Sequence, residues 1–409
     1  FNMNFLEKTV SIIGQGYVGF PCALLISNAG IKTFGYDLDK QKIEKIQSSI
    51  SPIDENDIQL LLDKNNNKNY FATNKLHASD IYIICVPTPE KDDKPDLTYV
   101  MQAAESICQY LKKNDIVIIE STSPVGTTHL VSDLIAKERP EFFFEDNIDL
   151  VLAYCPERVL PGDSVRELQE NPRIIGGLNK DDAEIVASFY KYFLNCEVHT
   201  TNAKTAELSK LAENAYRDVN IALANELSMI CDQYKISTNE LIDLASQHPR
   251  VNILSPGIGV GGHCIPIDPK FLDIPPFIDN SVFKSARYIN DFKEDYITKK
   301  ILRLIESNFH ESDNGRLIIY GLSYKENSND LRSSPAMRIA TSITSACQHI
   351  DIVINDPHIE QLPKANPISK LFVGGIINPE VGDKIILLVK HKILLELIEM
   401  NADKLIFAP

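Results

Sequence analysis

The first part of the chain alternates short apolar, β-rich segments with segments of helical periodicity. Five such apolar runs lie at residues 9–14, 31–37, 80–89, 115–124 and 148–157. Strands of a parallel sheet are buried on both faces and read as near-continuous apolar runs, and the connections between them are usually helices. The alternation therefore predicts a doubly wound, parallel α/β sheet in this part of the chain.

The middle of the chain has a different composition, which favours long helices. No glycine occurs between Gly177 and Gly257, and no proline between Pro172 and Pro249. Apolar residues recur there at spacings of three and four, which predicts one helix of roughly 30 residues. These residues are Leu208, Leu211, Ala215, Val219, Ala222, Leu223, Leu227 and Ile230. A helix of this length is expected either to be a connector with a dimer surface or to be a plain core helix.

The alternation of strands and helices returns near the C-terminus. The apolar segments 316–325, 350–358 and 383–390 predict three parallel strands of a second nucleotide-binding type of sheet. The fold class is therefore α/β, with two Rossmann-like doubly wound domains joined by a long-helix central domain. The predicted domains are 3–200, 201–300 and 301–409, with Met3 as the expected natural start.

Composition limits the compartment and the partners. The 409 residues carry a formal charge of -15, which argues against nucleic acid and anionic membranes as general partners. No apolar run is long enough for a membrane span. The eight cysteines are scattered without a C-x-x-C pair. This pattern predicts reduced thiols in a cytoplasmic protein and no metal site.

A glycine fingerprint follows the first predicted strand. Gly14, Gly16 and Gly19 form G-x-G-x-x-G between a strand and a helix, and Asp37 ends the second predicted strand about 20 residues on. The glycines allow a tight turn and the approach of a pyrophosphate to the helix N-terminus. A carboxylate at Asp37 binds ribose hydroxyls but repels a 2'-phosphate, so the pattern favours NAD over NADP. The alternative is a tight turn without a ligand.

Four residues are candidates for the chemistry. Lys210 and Asn214 are four apart on the predicted long helix, so they share a face and could hold an oxyanion; a solvated face is the alternative. Cys264 lies in the glycine-rich segment "GVGGHCIPIDP" (259–269), where glycine permits a close approach to the thiol; the alternative is a buried packing cysteine. Glu157 ends an apolar strand, where a carboxylate is expected to face a cleft.

The chain resembles the UDP-glucose/GDP-mannose dehydrogenase family over nearly its whole length. The matching segments occur in the family's order: "GQGYVGFP" (14–21), "STSPVGTT" (121–128), "YCPERVLPG" (154–162), "RIIGG" (173–177), "TAELSKLAENAYRDVNIALANELS" (205–228), "HPRVNIL" (248–254), "GVGGHCIPIDP" (259–269) and "GLSYKENSNDLRSSPA" (321–336). The resemblance implies NAD-dependent, four-electron oxidation of a nucleotide-sugar alcohol to a uronic acid.

The resemblance also implies roles for individual residues. Cys264 would be the nucleophile that carries the thiohemiacetal and the thioester, and Lys210 and Asn214 would stabilise the oxyanions. Asp268 would orient Lys210 and the hydrolytic water, while Glu157 and Thr122 would assist proton transfer through water. The implied NAD-binding residues are Gly14, Gly16, Tyr17, Val18, Gly19, Asp37, Pro87, Thr88, Ser121 and Thr122. The implied substrate-binding residues are Glu157, Arg158, Val159, Lys210, Asn214, Arg217, His248, Arg250, Gly261, His263, Cys264, Tyr324, Lys325 and Arg332.

The substrate and the assembly follow from the same resemblance. "HPRVNIL" and "GGHC" resemble the UDP-N-acetylmannosamine dehydrogenase branch, while "CIPIDP" also resembles the UDP-N-acetylglucosamine 6-dehydrogenases. UDP-glucose remains an alternative substrate with the same mechanism. A homodimer or a higher homo-oligomer is implied, with Arg250 reaching the substrate of the partner. Two other classes stay open: a two-electron hydroxyacid dehydrogenase and a non-catalytic NAD sensor.

Overall fold

The computed structural model describes residues 4–144, 147–159, 162–309 and 315–409. Met3, and Leu160 and Pro161 of the "YCPERVLPG" motif, lie outside the described residues. The chain divides into two compact units. The first unit is Phe1–Glu213 with Lys270–Asp273, and the second is Asn214–Pro269 with Ile274–Pro409. The division into three domains at 200/201 and 300/301 stays a prediction.

The first unit is built on twelve strands in the described part of the chain. They are β1 (Thr9–Ile13), β2 (Lys32–Tyr36), β3 (Tyr70–Thr73), β4 (Ile81–Ile84), β5 (Glu90–Lys91), β6 (Lys94–Pro95), β7 (Ile116–Ile119), β8 (Phe143–Phe144), β9 (Asn147–Ile148), β10 (Val151–Tyr154), β11 (Arg173–Gly177) and β12 (Val198–Asn202). Eight of them form one sheet in the order β12-β11-β10-β7-β4-β1-β2-β3. The pairs β5/β6 and β8/β9 form two small hairpins.

In the described part of the first unit, seven α-helices lie wholly within it. They are α1 (Gly19–Asn28), α2 (Lys40–Gln47), α3 (Asn56–Asn65), α4 (Thr98–Cys108), α5 (Thr127–Glu138), α6 (Ser164–Glu170) and α7 (Lys180–Phe193). Successive residues of the central strands alternate between two buried apolar clusters: Ile81 and Ile83 join one, and Tyr82 and Ile84 join the other. Both faces of the sheet are thus covered, and each buried isoleucine stabilises the fold by about 2 kcal/mol.

The five predicted strands of the first sheet are confirmed and run parallel to one another. The sheet also contains β11, which pairs antiparallel with β10 and parallel with β12. The chain therefore turns back after β10 instead of crossing the sheet. This reversal brings the start of β11, at Arg173, to the edge where β10 ends.

The predicted long helix is α8, Ala203–Tyr234, with 32 residues, and the boundary between the two units falls within it. The helix runs without interruption because its segment contains neither glycine nor proline. The next helix, α9 (Thr238–Ala245), begins after Ser237, whose side chain accepts a hydrogen bond from the amide of Glu240.

The second unit contains a second parallel sheet. Its strands are β13 (Leu317–Tyr320), β14 (Ile352–Asn355), β15 (Phe372–Val373), β16 (Lys384–Leu387) and β17 (Leu405–Phe407), in the order β15-β14-β13-β16-β17. Its remaining helices are α10 (Val282–Asn308), α11 (Pro335–Ala346) and α12 (Lys392–Met400). All four strand pairs are parallel, which confirms the prediction for 316–325, 350–358 and 383–390.

Candidate functional site

The glycine fingerprint lies where the strand order of the first sheet reverses. Ligands of doubly wound sheets bind at such a point, outside the carboxyl ends of the strands. Gly14 has φ +98°, and a Cβ there would lie 2.5 Å from the carbonyl oxygen of Cys85. A Cβ on Gly19 would lie 2.0 Å from the oxygen of Gly14, whereas one on Gly16 would meet open space. The turn is therefore closed on the protein side and open on the side where a pyrophosphate would approach.

The predicted ribose-binding carboxylate is held in place at this turn. Asp37 Oδ2 accepts hydrogen bonds from the amide of Gln15 at 2.9 Å and from Lys42 Nζ at 2.7 Å. Burial alone would raise the pKa of Asp37, but the hydrogen bonds from Lys42, Asp39 and Gln15 lower it below its ordinary value. The group is therefore an ionised acceptor, as ribose binding requires.

The loops after β4 and β7 complete this edge of the sheet. Ser121 Oγ donates to the carbonyl oxygen of Val86 at 2.7 Å, so the two loops are fixed to each other. Thr88 Oγ1 is buried, and no residue in the described part of the chain hydrogen bonds to it. A buried hydroxyl without a hydrogen-bond partner destabilises the fold, so Thr88 Oγ1 is suited to form a hydrogen bond with a bound ligand. Pro87 and Tyr17 are exposed at the same edge, and Thr122 is partly buried. These residues fit NAD.

Removing the Asp37 carboxylate is expected to change the choice of cofactor. In Asp37→Ser the ribose hydroxyls lose a charged acceptor and Lys42 becomes able to pair with a 2'-phosphate. We expect the Kd of NAD⁺ to rise about tenfold or more, as for the loss of one hydrogen bond to a charged group, and the Kd of NADP⁺ to fall. Isothermal calorimetry with each dinucleotide measures both effects. The exposed Asp54→Ser serves as the control; equal losses for both cofactors would contradict the role of Asp37.

Glu157 lies at the end of β10 in a buried, charged environment. Its carboxylate accepts a hydrogen bond from the amide of Val159. Burial raises the pKa of Glu157, nearby Lys210 and Arg173 lower it, and Glu120 raises it; the net direction is upward. The prediction that Glu157 faces a cleft is untested, but a buried carboxyl with a raised pKa suits proton transfer.

Two buried charged residues of this unit, Arg173 and Glu207, were not among the site residues predicted from the sequence. The register of β10 and β11 pairs Ala153 with Gly177 and Tyr154 with Gly176; continued by three residues, it places Arg173 level with Glu157. Glu207 Oε1 and Oε2 accept hydrogen bonds from the amides of Thr128 and Gly126. Glu207 thereby fixes the "STSPVGTT" loop to the helix that carries Lys210.

The long helix buries both members of the predicted oxyanion pair. Lys210 and Asn214 are each 8% exposed, and Glu157 is 9% exposed. The alternative of a solvated face for Lys210 and Asn214 is therefore wrong. Asn214 Nδ2 donates to Asp268 Oδ2 at 2.6 Å, and Asp268 is itself buried. The contact fixes the orientation of the Asn214 amide and gives Asp268 a partner that the sequence did not indicate.

Cys264 is exposed, and the other seven cysteines are buried or partly buried. All eight carry thiols and not disulfides. The alternative of a buried packing cysteine at 264 is therefore wrong. Its carbonyl oxygen accepts hydrogen bonds from the amides of Ile267 and Asp268, at 3.1 and 2.8 Å, which closes the turn that follows the thiol.

The glycines before Cys264 accommodate another segment of the same unit. A Cβ on Gly261 would lie 2.7 Å from the oxygen of Ser333, and one on Gly262 would lie 2.9 Å from the ring of Tyr324. Gly262 also has φ +90°, and its amide donates to the oxygen of Arg332. These two glycines therefore admit the loop that follows β13, residues 321–334, which we call the nucleotide loop.

The nucleotide loop brings several predicted substrate-binding residues near the thiol. Burial and Asp330 raise the pKa of Tyr324, with a further contribution from nearby Cys264, while Arg332 and Arg217 oppose it. Partial burial and Arg332 lower the pKa of His263. Tyr324 is thus influenced electrostatically by Cys264, Arg332 and Arg217, and the guanidinium of Arg332 is paired to Asp330.

A cavity of about 600 Å³ lies at the carboxyl ends of β13, β16 and β17. This is the point at which the strand order of the second sheet reverses, where a ligand is expected. Its lining includes four lysines (Lys325, Lys390, Lys293 and Lys300) and two acidic residues (Asp232 and Glu326), and Lys300 is paired with Asp232. The lining therefore has a net positive charge in an acidic protein.

The other predicted substrate-binding residues lie elsewhere. Arg158 Nη1 donates to Glu213 Oε1 at 2.8 Å, and Val159 is partly buried beside it. His248 and Arg250 are exposed after α9, where the amide of Arg250 donates to Nδ1 of His248. In the described part of the chain no group of His, Cys, Asp and Glu side chains could hold a metal ion. No helix described there is long and apolar enough to cross a membrane.

Comparison with known proteins identifies the family. Three models of the UDP-glucose/GDP-mannose dehydrogenase family match in chain order: the NAD binding domain at 8–194, the central domain at 204–291 and the UDP binding domain at 318–400. A UDP-N-acetyl-D-mannosamine dehydrogenase of Campylobacter jejuni is 40% identical over 99% of both chains. An NDP-N-acetyl-D-galactosaminuronic acid dehydrogenase of Ralstonia nicotianae is also 40% identical, over 94% of this chain and 91% of the relative.

A solved structure gives the same result. The UDP-N-acetyl-mannosamine dehydrogenase of Staphylococcus aureus matches with a TM-score of 0.82 and 34% identity, over 97% of this chain and 92% of the other. The predicted fold class and cofactor are confirmed, and the non-catalytic sensor is excluded. The chain belongs to the UDP-glucose/GDP-mannose dehydrogenase family, and it is an NAD-dependent oxidoreductase.

Proposed function

We propose that the chain oxidises C6 of a UDP-N-acetylhexosamine to the carboxylate, with UDP-N-acetylmannosamine as the first candidate. The observation that carries the proposal is the exposed Cys264, which lies beside the nucleotide loop in a unit whose other two cysteines are buried. An alcohol is converted to an acid in two oxidations, and a thiol can hold the carbon covalently between them. The names of the relatives support the choice of sugar.

The residues of the chain have the following proposed roles. NAD⁺, held by the glycine turn and Asp37, would supply the hydride acceptor for each oxidation. Cys264 adds to the C6 aldehyde to form a thiohemiacetal, which is oxidised to a thioester that water then hydrolyses. Lys210 supplies positive charge and Asn214 a hydrogen bond to the oxyanions. Asp268 orients Asn214, and we propose that it also orients Lys210 and the hydrolytic water. Glu157 and Thr122 assist proton transfer to and from water.

The nucleotide part is proposed to bind in the second unit. Lys325 and Arg332 lie in the nucleotide loop, and Lys325 also lines the cationic cavity at the carboxyl ends of the second sheet. Cationic side chains are suited to the diphosphate. Further proposed contacts in this unit are Tyr324, His263, Arg217, His248 and Gly261.

A second sugar is favoured by particular observations. The Ralstonia relative, named for an N-acetylgalactosaminuronic acid, is as similar to this chain as the mannosamine enzyme of Campylobacter. The segment "CIPIDP" also resembles enzymes that act on UDP-N-acetylglucosamine. An N-acetylhexosamine other than mannosamine is therefore the second candidate, with the same mechanism.

The stoichiometry of cofactor reduction tests the proposal. With UDP-N-acetylmannosamine, we expect two NADH per sugar consumed and the uronic acid as the product, measured by absorbance and mass spectrometry. UDP-N-acetylglucosamine, UDP-N-acetylgalactosamine, UDP-glucose and GDP-mannose are compared in the same assay. A ratio of one NADH per sugar would identify a two-electron dehydrogenase and would exclude the thioester mechanism.

We also propose a homodimer formed through α8. Four exposed apolar side chains repeat along this helix at spacings of seven, seven and four: Tyr216, Leu223, Ile230 and Tyr234. A second copy of the chain would cover this stripe, and Arg250 is proposed to reach the substrate of that copy. Light scattering of the purified chain determines the mass of the assembly, and a monomer would contradict the proposal.

A further inference from the structure

A buried aspartate–histidine pair lies beneath the nucleotide loop. Asp356 follows β14 and His391 follows β16, so both lie at the carboxyl ends of strands in the second sheet. Each is 0% exposed, and His391 Nε2 lies 3.1 Å from Asp356 Oδ2. Two fully buried ionisable groups require partners or a function, and the proposed chemistry uses neither.

The aspartate holds the base of the nucleotide loop. Asp356 Oδ2 accepts hydrogen bonds from the amides of Leu322 at 2.7 Å and Ser323 at 3.2 Å. Asp356 Oδ1 accepts from the amide of His358 at 2.9 Å. Burial alone would raise the pKa of Asp356, but the hydrogen bonds from His391, Leu322 and His358 lower it. The base of the loop is therefore held by an ionised carboxylate.

The histidine holds the loop at a second point. His391 Nδ1 accepts a hydrogen bond from the amide of Asn327 at 2.9 Å, and Asn327 Oδ1 accepts from the amide of Lys392 at 2.8 Å. Asn327 has φ +54°, a left-handed conformation that asparagine adopts more readily than most non-glycine residues. The two contacts at Asn327 stabilise it there.

The bonding pattern fixes the form of the imidazole. Nδ1 accepts a hydrogen bond from the Asn327 amide, so it carries no proton itself, and the proton of a neutral ring is then on Nε2, facing Asp356. In this tautomer the imidazole of His391 connects the Asp356 carboxylate, through Nε2, to the backbone amide of Asn327, through Nδ1. A side chain without both an acceptor and a donor cannot make this connection.

The segment between the two held points contains two of the proposed substrate-binding residues. Tyr324 and Lys325 lie between Ser323 and Asn327, and Ser323 Oγ donates to the oxygen of Lys325 at 2.7 Å. The ring of Tyr324 packs on Gly262, two residues before Cys264. A change in the conformation of the nucleotide loop would therefore alter the wall of the nucleotide cavity and the surroundings of the Cys264 thiol.

We propose that Asp356 and His391 are positioning residues that hold the nucleotide loop in the one conformation that binds the uridine diphosphate part of the substrate. The inference rests on the proposed function, because it takes the nucleotide loop to be the UDP-binding element. Neither residue touches the ligand; both act through Ser323 and Asn327.

The test compares three variants by calorimetry with UDP and, separately, with NAD⁺. His391→Phe keeps a planar ring but removes both hydrogen bonds, and His391→Gln retains an acceptor and a donor. The matched control is His358→Phe, which changes an exposed imidazole whose ring centroid lies 4.8 Å from that of His391. Kinetics with the active UDP-sugar give KM and kcat for each variant.

We expect His391→Phe to weaken UDP binding about tenfold, as it would if the competent loop conformation fell to about a tenth of the population. KM for the UDP-sugar rises in proportion, kcat changes less, and the Kd of NAD⁺ stays unchanged. His391→Gln recovers most of the affinity, and His358→Phe behaves as the wild type. Equal losses for UDP and NAD⁺ would indicate general unfolding and would overturn the proposal, as would unchanged UDP binding in His391→Phe.

A surface variant tests the same point if His391→Phe does not fold. Asn327→Gly tolerates the left-handed backbone and removes the acceptor for the Lys392 amide, and residue 327 is exposed. We expect weaker UDP binding with an unchanged melting temperature; unchanged UDP binding contradicts the inference. If the wild-type chain itself binds no UDP, the proposed function fails; if it binds UDP and the variants bind equally well, only the positioning role fails.

Discussion

Replacing Cys264 by serine is expected to abolish net formation of the uronic acid while UDP binding is retained. A serine hydroxyl is a far weaker nucleophile than a thiol at neutral pH, so the covalent intermediate does not form. We expect the rate of acid formation to fall by a factor on the order of 10³ or more. NADH absorbance and product mass measure turnover, and calorimetry measures the Kd of UDP.

Cys196→Ser is the matched control for this experiment, because Cys196 is a partly exposed cysteine of the first unit with no proposed role. It should retain wild-type turnover. Alkylation gives an independent readout: burial raises the pKa of Cys22, Cys85 and Cys155, so iodoacetamide should label Cys264 before them. Undiminished acid formation by Cys264→Ser would remove the thiol from the chemistry.

The second large effect is expected for Glu157→Gln. Glutamine preserves the shape of the side chain but cannot take a proton from water, so hydrolysis of the thioester slows while its formation continues. A covalent adduct with the mass of the acylated nucleotide sugar should therefore accumulate on Cys264. Intact-protein mass spectrometry after mixing with NAD⁺ and UDP-sugar detects it, and Glu170→Gln, an exposed carboxylate on α6, should show none.

The pH dependence gives a second measurement on Glu157. A general base acts in its deprotonated form, and burial raises the pKa of Glu157. Hydrolysis should therefore slow as the pH falls through a value above about 4.3, the ordinary pKa of glutamate. This acid limb should be missing from the residual rate of Glu157→Gln. An identical limb in both proteins, or rapid turnover without an adduct, would assign the base to another residue.

The elements of this fold could be predicted from periodicity and breakers. The glycine fingerprint, the strands on either side of it and the 32-residue helix α8 could be predicted because they depend on the local sequence pattern and not on the segments that pack against them. Strands β3, β11 and β12 were not predicted, because short polar or glycine-containing segments such as "RIIGG" lack a long apolar run. Their state is decided by the pairing partner and not by their own composition.

The candidate site could be predicted only in part, for a related physical reason. Spacing placed Lys210 and Asn214 on one face of a helix, but the same spacing fits a solvated surface, and only burial distinguishes the two. Asp356 and His391 are 35 residues apart, and no local pattern relates them. Residues that hold a loop in place from the protein interior have no recognisable sequence motif, because their partners are backbone amides and not particular side chains.

The antiparallel pairing of β11 has a consequence for how the proposed catalytic edge of the first sheet can vary. Parallel strands offer this edge only their last residues and the loops that follow, where insertions and substitutions accumulate together. A reversed strand offers its first residue instead, so Arg173 reaches the vicinity of Glu157 from a rigid position inside the sheet. Arg173 lowers the pKa of Glu157, so the acidity of this carboxyl depends in part on a strand residue outside the ligand-binding loops.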